Sequence, residues 1–240
     1  MEIKFFTDAH LLDGIPKPVR ANKHLPSYFK AIPPQVTSHP NSGTVKKCVP
    51  FLEACSMGYI MPMWVDMFVT AKDGELNFDF PPNYIPQEEH KGKTGASFST
   101  HNIAQIKDHP LQNQKYGDLP CKLHNPWIIE TSKGVSCLFT SPLNHMETRL
   151  KILDGVVDTD TYYNHINFPF LWTGGDGEFF IPQGTPLVQV IPFERTESKA
   201  SYGQVDCERR DKVTSAVGTV FRNGYKTQIH HKGEKLRLVE

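Results

Sequence analysis

Nineteen prolines and 17 glycines are scattered along the whole of this 240-residue sequence, and that punctuation leaves little room for long helices. Proline breaks a helix interior by removing a backbone donor, and glycine marks turns and other special conformations. Fifteen Phe, eight Tyr and three Trp fall between the breaks. Aromatic and β-branched runs at short intervals, each closed by a turn signal, read as short strands. The expected fold class is therefore mainly β, a barrel or sandwich of short strands with a few short helices and long loops. At 38% hydrophobic and 22% charged residues, the chain can bury a core and is no disordered tail. Its 26 Lys and Arg balance its 26 Asp and Glu, which argues against a partner that needs a strong positive field. No nucleic-acid polymer and no membrane is expected as a partner.

Local patterns place the elements. Residues 3–6 alternate as an edge strand, and Leu25, Tyr28, Phe29 and Ile32 share helical spacing. Residues 64–70 and 76–80 flank Lys72-Asp73-Gly74-Glu75, a hairpin signal. Further on, Trp127-Ile128-Ile129, residues 135–140, Val156-Val157, residues 166–172, Phe179-Phe180-Ile181 and residues 187–193 alternate with turns. The turns are Ser132-Lys133-Gly134, Ser141-Pro142, Gly174-Gly175-Asp176-Gly177 and Pro182-Gln183-Gly184.

The expected organisation is a single domain over 1–240. Its β core covers about 48–195, with a polar excursion at 81–117 and a C-terminal arm at 196–240. Five widely spaced cysteines, Cys48, Cys55, Cys121, Cys137 and Cys207, form no Cys-x-x-Cys pair and read as reduced thiols. Residues 1–10 have no apolar stretch of a signal peptide, and residues 57–69 are too short to span a bilayer. Both point to the cytoplasm, or the host cytoplasm for a phage protein, with a place in a virion as the other setting.

Three segments carry a resemblance. Gly155-Val156-Val157-Asp158-Thr159-Asp160-Thr161-Tyr162-Tyr163 resembles the Gly-Val-Ile-Asp signature of trimeric dUTP pyrophosphatases. Gly184-Thr185-Pro186-Leu187-Val188-Gln189 resembles that family's Gly-to-Gln strand. Lys133-Gly134, the following strand and Ser141-Pro142-Leu143-Asn144 fall where it has a turn, a strand and Pro-Arg-Ser-Gly. The resemblance implies a dUTPase/dCTP deaminase β-clip barrel and, by analogy, a homo-oligomer of three chains. It implies roles too. Asp158 would order an attacking water, Tyr162 or Tyr163 would stack on a sugar, and Gln189 would approach phosphates. Asn144 and Asp160 would complete the ligand site. The whole sequence also resembles a family of tailed phages and some bacteria with no established activity. Leu25-Pro26-Ser27-Tyr28-Phe29-Lys30, Asn167-Phe168-Pro169-Phe170 and Gln189-Val190-Ile191-Pro192-Phe193 carry that likeness.

The departures bear on function. Leu143-Asn144 replaces the phosphate-gripping Arg-Ser pair. In Met57-Gly58-Tyr59-Ile60, isoleucine stands where a magnesium-supporting acid is expected. Asn167-Phe168-Pro169-Phe170-Leu171 lacks the catalytic glutamate of the deaminase branch. A triphosphate carries several negative charges that metal and cationic donors normally neutralise. No local charge partner for Asp158 or Asp160 is evident, and aspartates beside threonine at a strand end commonly shape turns. His145-Met146-Glu147 with His165 has the form of a facial metal triad. The expectation is a binder of a small ligand or protein partner on a degenerate dUTPase-like scaffold, its cofactor unknown. The alternatives are a divergent nucleotide pyrophosphatase, a non-haem iron oxygenase using His145, Glu147 and His165, or a virion or assembly component.

Overall fold

Met67, Val69 and Ala71 are buried while Phe68, Thr70 and Lys72 between them are exposed, the two-residue period of a strand with one wet face. The computed structural model describes residues 1–36, 38–81, 98–100, 115–116, 121–147 and 149–219. Most of the excursion expected at 81–117, and residues 220–240 of the expected arm, lie outside these.

In chain order, β1 (Ile3–Phe6) and β2 (Val19–Arg20) precede α1 (Ser27–Ala31), β3 (Gln35–Val36), β4 (His39–Gly43) and α2 (Val49–Ser56). Next come β5 (Tyr59–Pro62), β6 (Met67–Lys72), β7 (Glu75–Asp79), β8 (Phe98–Thr100) and β9 (Cys121–Leu123). β10 (Ile128–Thr131), β11 (Val135–Thr140), β12 (Leu150–Ile152) and β13 (Gly155–Val157) follow. β14 (Phe168–Trp172), β15 (Gly177–Ile181), β16 (Pro186–Glu194) and α3 (Cys207–Thr219) complete the described elements.

The described strands pair antiparallel throughout. The largest sheet runs β13-β11-β16-β5-β2, and smaller ones run β12-β14-β9-β8 and β15-β6-β7. The mainly β reading with few short helices holds. Asp73 (φ 51°) and Gly74 (φ 91°) are both left-handed and close the β6–β7 hairpin between Lys72 and Glu75, as the sequence predicts. The first strand of that hairpin starts at Met67, not near Trp64, because the preceding bend is tied elsewhere. Met63 N donates to Thr185 O at 2.7 Å and Gly184 N to Met63 O at 2.8 Å. The Gln183 amide donates to Trp64 O at 3.0 Å.

Apolar faces from most of these strands meet in one cluster that includes Met61, Met67, Leu123, Ile129, Phe139, Phe168, Phe170 and Val188. Phe168 sits between Trp64 and Phe139, its ring 6.5 Å and 5.9 Å from theirs. β1 pairs with β10 and β2 with β5, so residues before 48 also join the sheets. Pro192 lies inside β16, opposite Cys137 of β11. It is tolerated there because β5 pairs with β16 only as far as Val190, and a proline can occupy a strand whose other side is open. All five cysteines are thiols outside any disulfide. Burial pushes the Cys121 thiol up to about 12 and the Cys137 thiol to about 11.

β5 and β16 are covered on their second face as well. By strand alternation Met61, Val188 and Val190 point to the cluster, while Ile60 and Gln189, both fully buried, belong to the opposite face. Beneath that face runs α2, reached through Gly58. Gly58 has φ +66°, and a Cβ there would stand 2.0 Å from Val190 O and 2.9 Å from its carbonyl carbon. Gly134 has φ +83° but open space around it. Gly134→Ala should therefore cost only the left-handed penalty of about 1 kcal/mol, whereas Gly58→Ala must push two strands apart. Urea denaturation of the two variants should show Gly58→Ala several kcal/mol less stable, or unfolded. Equal losses would refute the close approach of Gly58 to β16.

Candidate functional site

The turn 132–134 enters β11, and the loop 158–164 leaves β13 beside it. A buried threonine pins the two together. Thr159 Oγ1 lies 2.7 Å from Thr131 Oγ1 and donates to Cys137 Sγ at 3.3 Å. Thr131 N in turn donates to Thr159 O at 3.3 Å. The loop closes on the Asp158 carbonyl, which accepts from Thr161 N at 3.0 Å and Tyr162 N at 2.9 Å. This turn uses the Asp158 backbone and frees its side chain.

Both aspartate side chains converge on Arg195, which follows β16. Arg195 Nη1 stands 3.0 Å from Asp158 Oδ1 and 2.9 Å from Asp160 Oδ1, and Nη2 stands 2.5 Å from Asp160 Oδ2. Ser136 Oγ donates to Asp158 Oδ1 at 2.6 Å and accepts from Arg195 Nη1 at 2.9 Å. Gly134 N adds a fourth donor, to Asp160 Oδ2 at 2.8 Å. The Asp160 side chain is only 2% exposed and the Asp158 side chain is 60% exposed. The fork of Arg195 and the Gly134 amide hold the Asp160 carboxyl down at about 2; such bidentate, charge-assisted bonds favour the ionised form. The sequence reading supplies no partner charge for these aspartates, and Arg195 corrects it. The partner lies some 35 residues away and arrives through the β11–β16 register, so nothing local marks it.

Tyr162 and Tyr163 are exposed on this loop, and the Phe6 ring lies 5.8 Å from that of Tyr163. Val156 on β13 is exposed as well.

Asn144 and Gln189 sit at the other end of β11. Thr140 faces Gln189, and Ser136 faces Phe193. Four residues of strand, about 13 Å, therefore separate the Asp158 cluster from the Gln189 end. Gln189 has no outward role. Its Oε1 accepts from Leu143 N at 2.8 Å, and its Nε2 donates to Ala54 O at 3.0 Å and Met57 O at 2.8 Å. Truncating it would strand three half-buried backbone groups, each at up to about 1–3 kcal/mol. The glutamine seals α2 onto the sheet and has no amide left for a ligand, which corrects its expected approach to phosphates. Asn144, at φ 60°, accepts from Tyr28 Oη through its carbonyl at 2.5 Å and points its amide at Cys55 Sγ, 3.7 Å away.

His145, Glu147 and His165 take separate tasks. Glu147 is gripped by Arg149, with Oε1 2.8 Å from Nε and Oε2 2.5 Å from Nη2, and this pairing holds its carboxyl below the usual range. The His165 ring meets Asn125 O at 3.0 Å through Nδ1. Among the described residues no three His, Cys, Asp or Glu side chains are grouped to hold a metal ion, so the expected triad is not assembled. Ile60, in place of a magnesium-supporting acid, is fully buried and offers no oxygen, so this position does not fit the ion. No helix among the described residues is long and apolar enough to cross a membrane.

No family model matches the chain, and no curated protein is significantly similar to it. Among solved structures it is similar to a dUTPase of EIAV, at 9% identity and a TM-score of 0.34 over 63% of this chain and 86% of that one. It is also similar to a dUTPase from phage phi11 of S. aureus, at 10% identity and a TM-score of 0.37 over 86% and 99%. A dUTPase of Staphylococcus bacteriophage 80alpha is similar at 14% identity and 0.25, over 35% and 64%. Likeness at this level transfers no activity.

The Asp160–Arg195 pair has a pH signature. Its folded carboxyl titrates near 2, below the ordinary aspartate value of 3.8. The stability it contributes is therefore complete above about pH 4 and disappears as pH falls towards 2. Melting temperatures measured from pH 6 to pH 2 should fall more steeply below pH 4 in the parent protein than in Asp160→Asn. Parallel curves would show that the pair does not couple to folding.

Proposed function

We propose that this chain is a binding protein on a dUTPase-like scaffold, without nucleotide hydrolysis, and that its working surface is the rim of Phe6, Asp158, Tyr162 and Tyr163. One observation carries the reading: Arg195 engages both aspartates, so Asp158 and Asp160 do not stand as a free pair to collect a metal. A general base also needs a reacting group within reach, and the polar residues expected to grip phosphate lie about 13 Å along β11 from Asp158. The rim offers different chemistry. Its exposed rings supply stacking faces. Asp158 meets its partners through Oδ1 and leaves most of its carboxylate facing water. A small planar ligand bearing a hydrogen-bond donor suits that combination.

Thermal-shift measurements with nucleosides and deoxynucleotides, with and without magnesium, test this together with a pyrophosphate-release assay. The expected outcome is stabilisation by a planar ligand without magnesium, lost in Tyr162→Ala and Tyr163→Ala, and no pyrophosphate from any triphosphate. Pyrophosphate release from dUTP would establish an enzyme instead. No stabilisation by any of these compounds at millimolar concentration would remove ring-bearing nucleotides from the reading.

A second reading is favoured by β13, which lies at the edge of its sheet with Val156 exposed. An unpaired apolar edge is a template for association, and a homo-oligomer would cover it. Sedimentation velocity should then show a species larger than 27.2 kDa that dissociates in Val156→Lys. A monomer at all concentrations would end this reading.

A further inference from the structure

The wet face of β6 is shared by two neighbours, because β6 is the middle strand of the sheet β15-β6-β7. Met67, Val69, Ala71 and Ile181 hold its inner face in the core cluster, so alternate residues point outward. The register sets Phe68 between Phe180 and Asp79, and Thr70 between Glu178 and Asn77. Lys72 faces Glu75 at the hairpin end. All of these outward residues are exposed.

Two features of this face are left open by the fold. The Phe68 and Phe180 rings touch, with centroids 4.8 Å apart, yet stay 50% and 46% exposed. Single exposed apolar side chains are ordinary. Here two are contiguous in the middle of a wet face, with carboxylates beside them. Those carboxylates, of Glu75, Asp79 and Glu178, form no ion pair among the described residues. Against them the outward positions of the three strands supply one ammonium, that of Lys72. Arg149 reaches Phe180 O at 3.2 Å, but its guanidinium already grips Glu147. The face is thus apolar at its centre and negative around it.

One chemistry complements both features. We propose that the outer face of β15-β6-β7 docks a basic peptide segment of a partner protein, with an arginine stacked on Phe68 and Phe180 and paired with Asp79. Side chains directly opposite on neighbouring strands have Cβ atoms about 5 Å apart. A guanidinium lying within about 6 Å of the Phe68 ring centroid is therefore within reach of the Asp79 carboxylate. Glu178, diagonal to Phe68 on β15, is placed for a second cation. Arginine suits the face better than lysine, because its flat, weakly hydrated fork stacks on a ring while donating two bonds to a carboxylate. An acidic segment or a nucleic acid meets like charge here, and a purely apolar segment leaves the carboxylates unanswered. The face belongs to a different sheet from the tyrosine rim and stands whether or not that rim binds a ligand.

Fluorescence anisotropy of the full-length protein with a labelled peptide of alternating arginine and serine tests the proposal. Parallel peptides carry lysine, citrulline or leucine in place of arginine. Saturable binding is expected, strongest for arginine, weaker for lysine and lost with citrulline, which keeps the shape without the charge. Phe68→Thr and Asp79→Asn should each weaken it about fivefold or more. Asp154→Asn, at an exposed carboxylate outside this sheet, should leave it unchanged. Amide NMR shifts should centre on Phe68, Thr70 and Phe180. Asp79→Asn is nearly isosteric, so the test survives if Phe68→Thr fails to fold. An equal loss in Asp154→Asn would reveal general charge attraction and overturn the site, as would equal binding of the citrulline or leucine peptide. Loss in Tyr163→Ala but not in Phe68→Thr would move the peptide to the tyrosine rim and overturn it too. Self-association of the protein alone, abolished by Phe68→Thr, would assign the face to a second copy instead. Absence of saturation at about 1 mM peptide would end the proposal.

Discussion

The antiparallel pairing of β11 with β16 is the constraint on which the rest of the structure depends. Its register runs from Val135 opposite Glu194 to Thr140 opposite Gln189, and each end fixes one polar assembly. At the first end it delivers Arg195 to Gly134, Ser136 and the two aspartates. At the second it sets Gln189 against α2 and the 142–145 turn. A shift of one residue would turn Val188 and Val190 out of the core and Gln189 into it. The buried amide and the buried valines therefore enforce the same alignment.

That alignment also explains why the expected catalytic set is not gathered in one place. Asp158 belongs to the loop beside the start of β11, whereas Asn144 and Gln189 belong to its end, and strand rise alone keeps them about 13 Å apart. Each group is then occupied locally: Asp160 by a guanidinium, Gln189 by three backbone groups, Glu147 by Arg149. Residues matching a motif in sequence thus serve here to tie loops and a helix to the sheet.

Period-two patterns and turn chemistry made much of the fold legible. The Asp73-Gly74 hairpin, β11, β14 and β16 fall where alternation and punctuation put them, because those signals act over a few residues. What stayed hidden depended on distant pairing. Nothing near Asp160 announces Arg195, nothing in residues 3–6 names β10 as their partner, and Pro192 reads as punctuation until the end of β5 leaves one side of β16 open. The site was partly legible in the same sense. The loop 158–164 was marked as special, but its aspartates are placed by a partner that only the register reveals.

Charge follows the same logic. A zero total is an average over the chain and excludes only partners that respond to the whole field. Local recognition responds to charges within about a Debye length, roughly 8–10 Å at ordinary salt. At one end of β11 a single guanidinium, Arg195, stands between two carboxylates, and the exposed Asp158 keeps part of its charge in water. At the other end packs a stretch of chain, residues 14–52, with six Lys and Arg and no Asp or Glu. A neutral protein can thus carry ends of opposite charge, provided that the sheet holds them farther apart than salt lets them cancel.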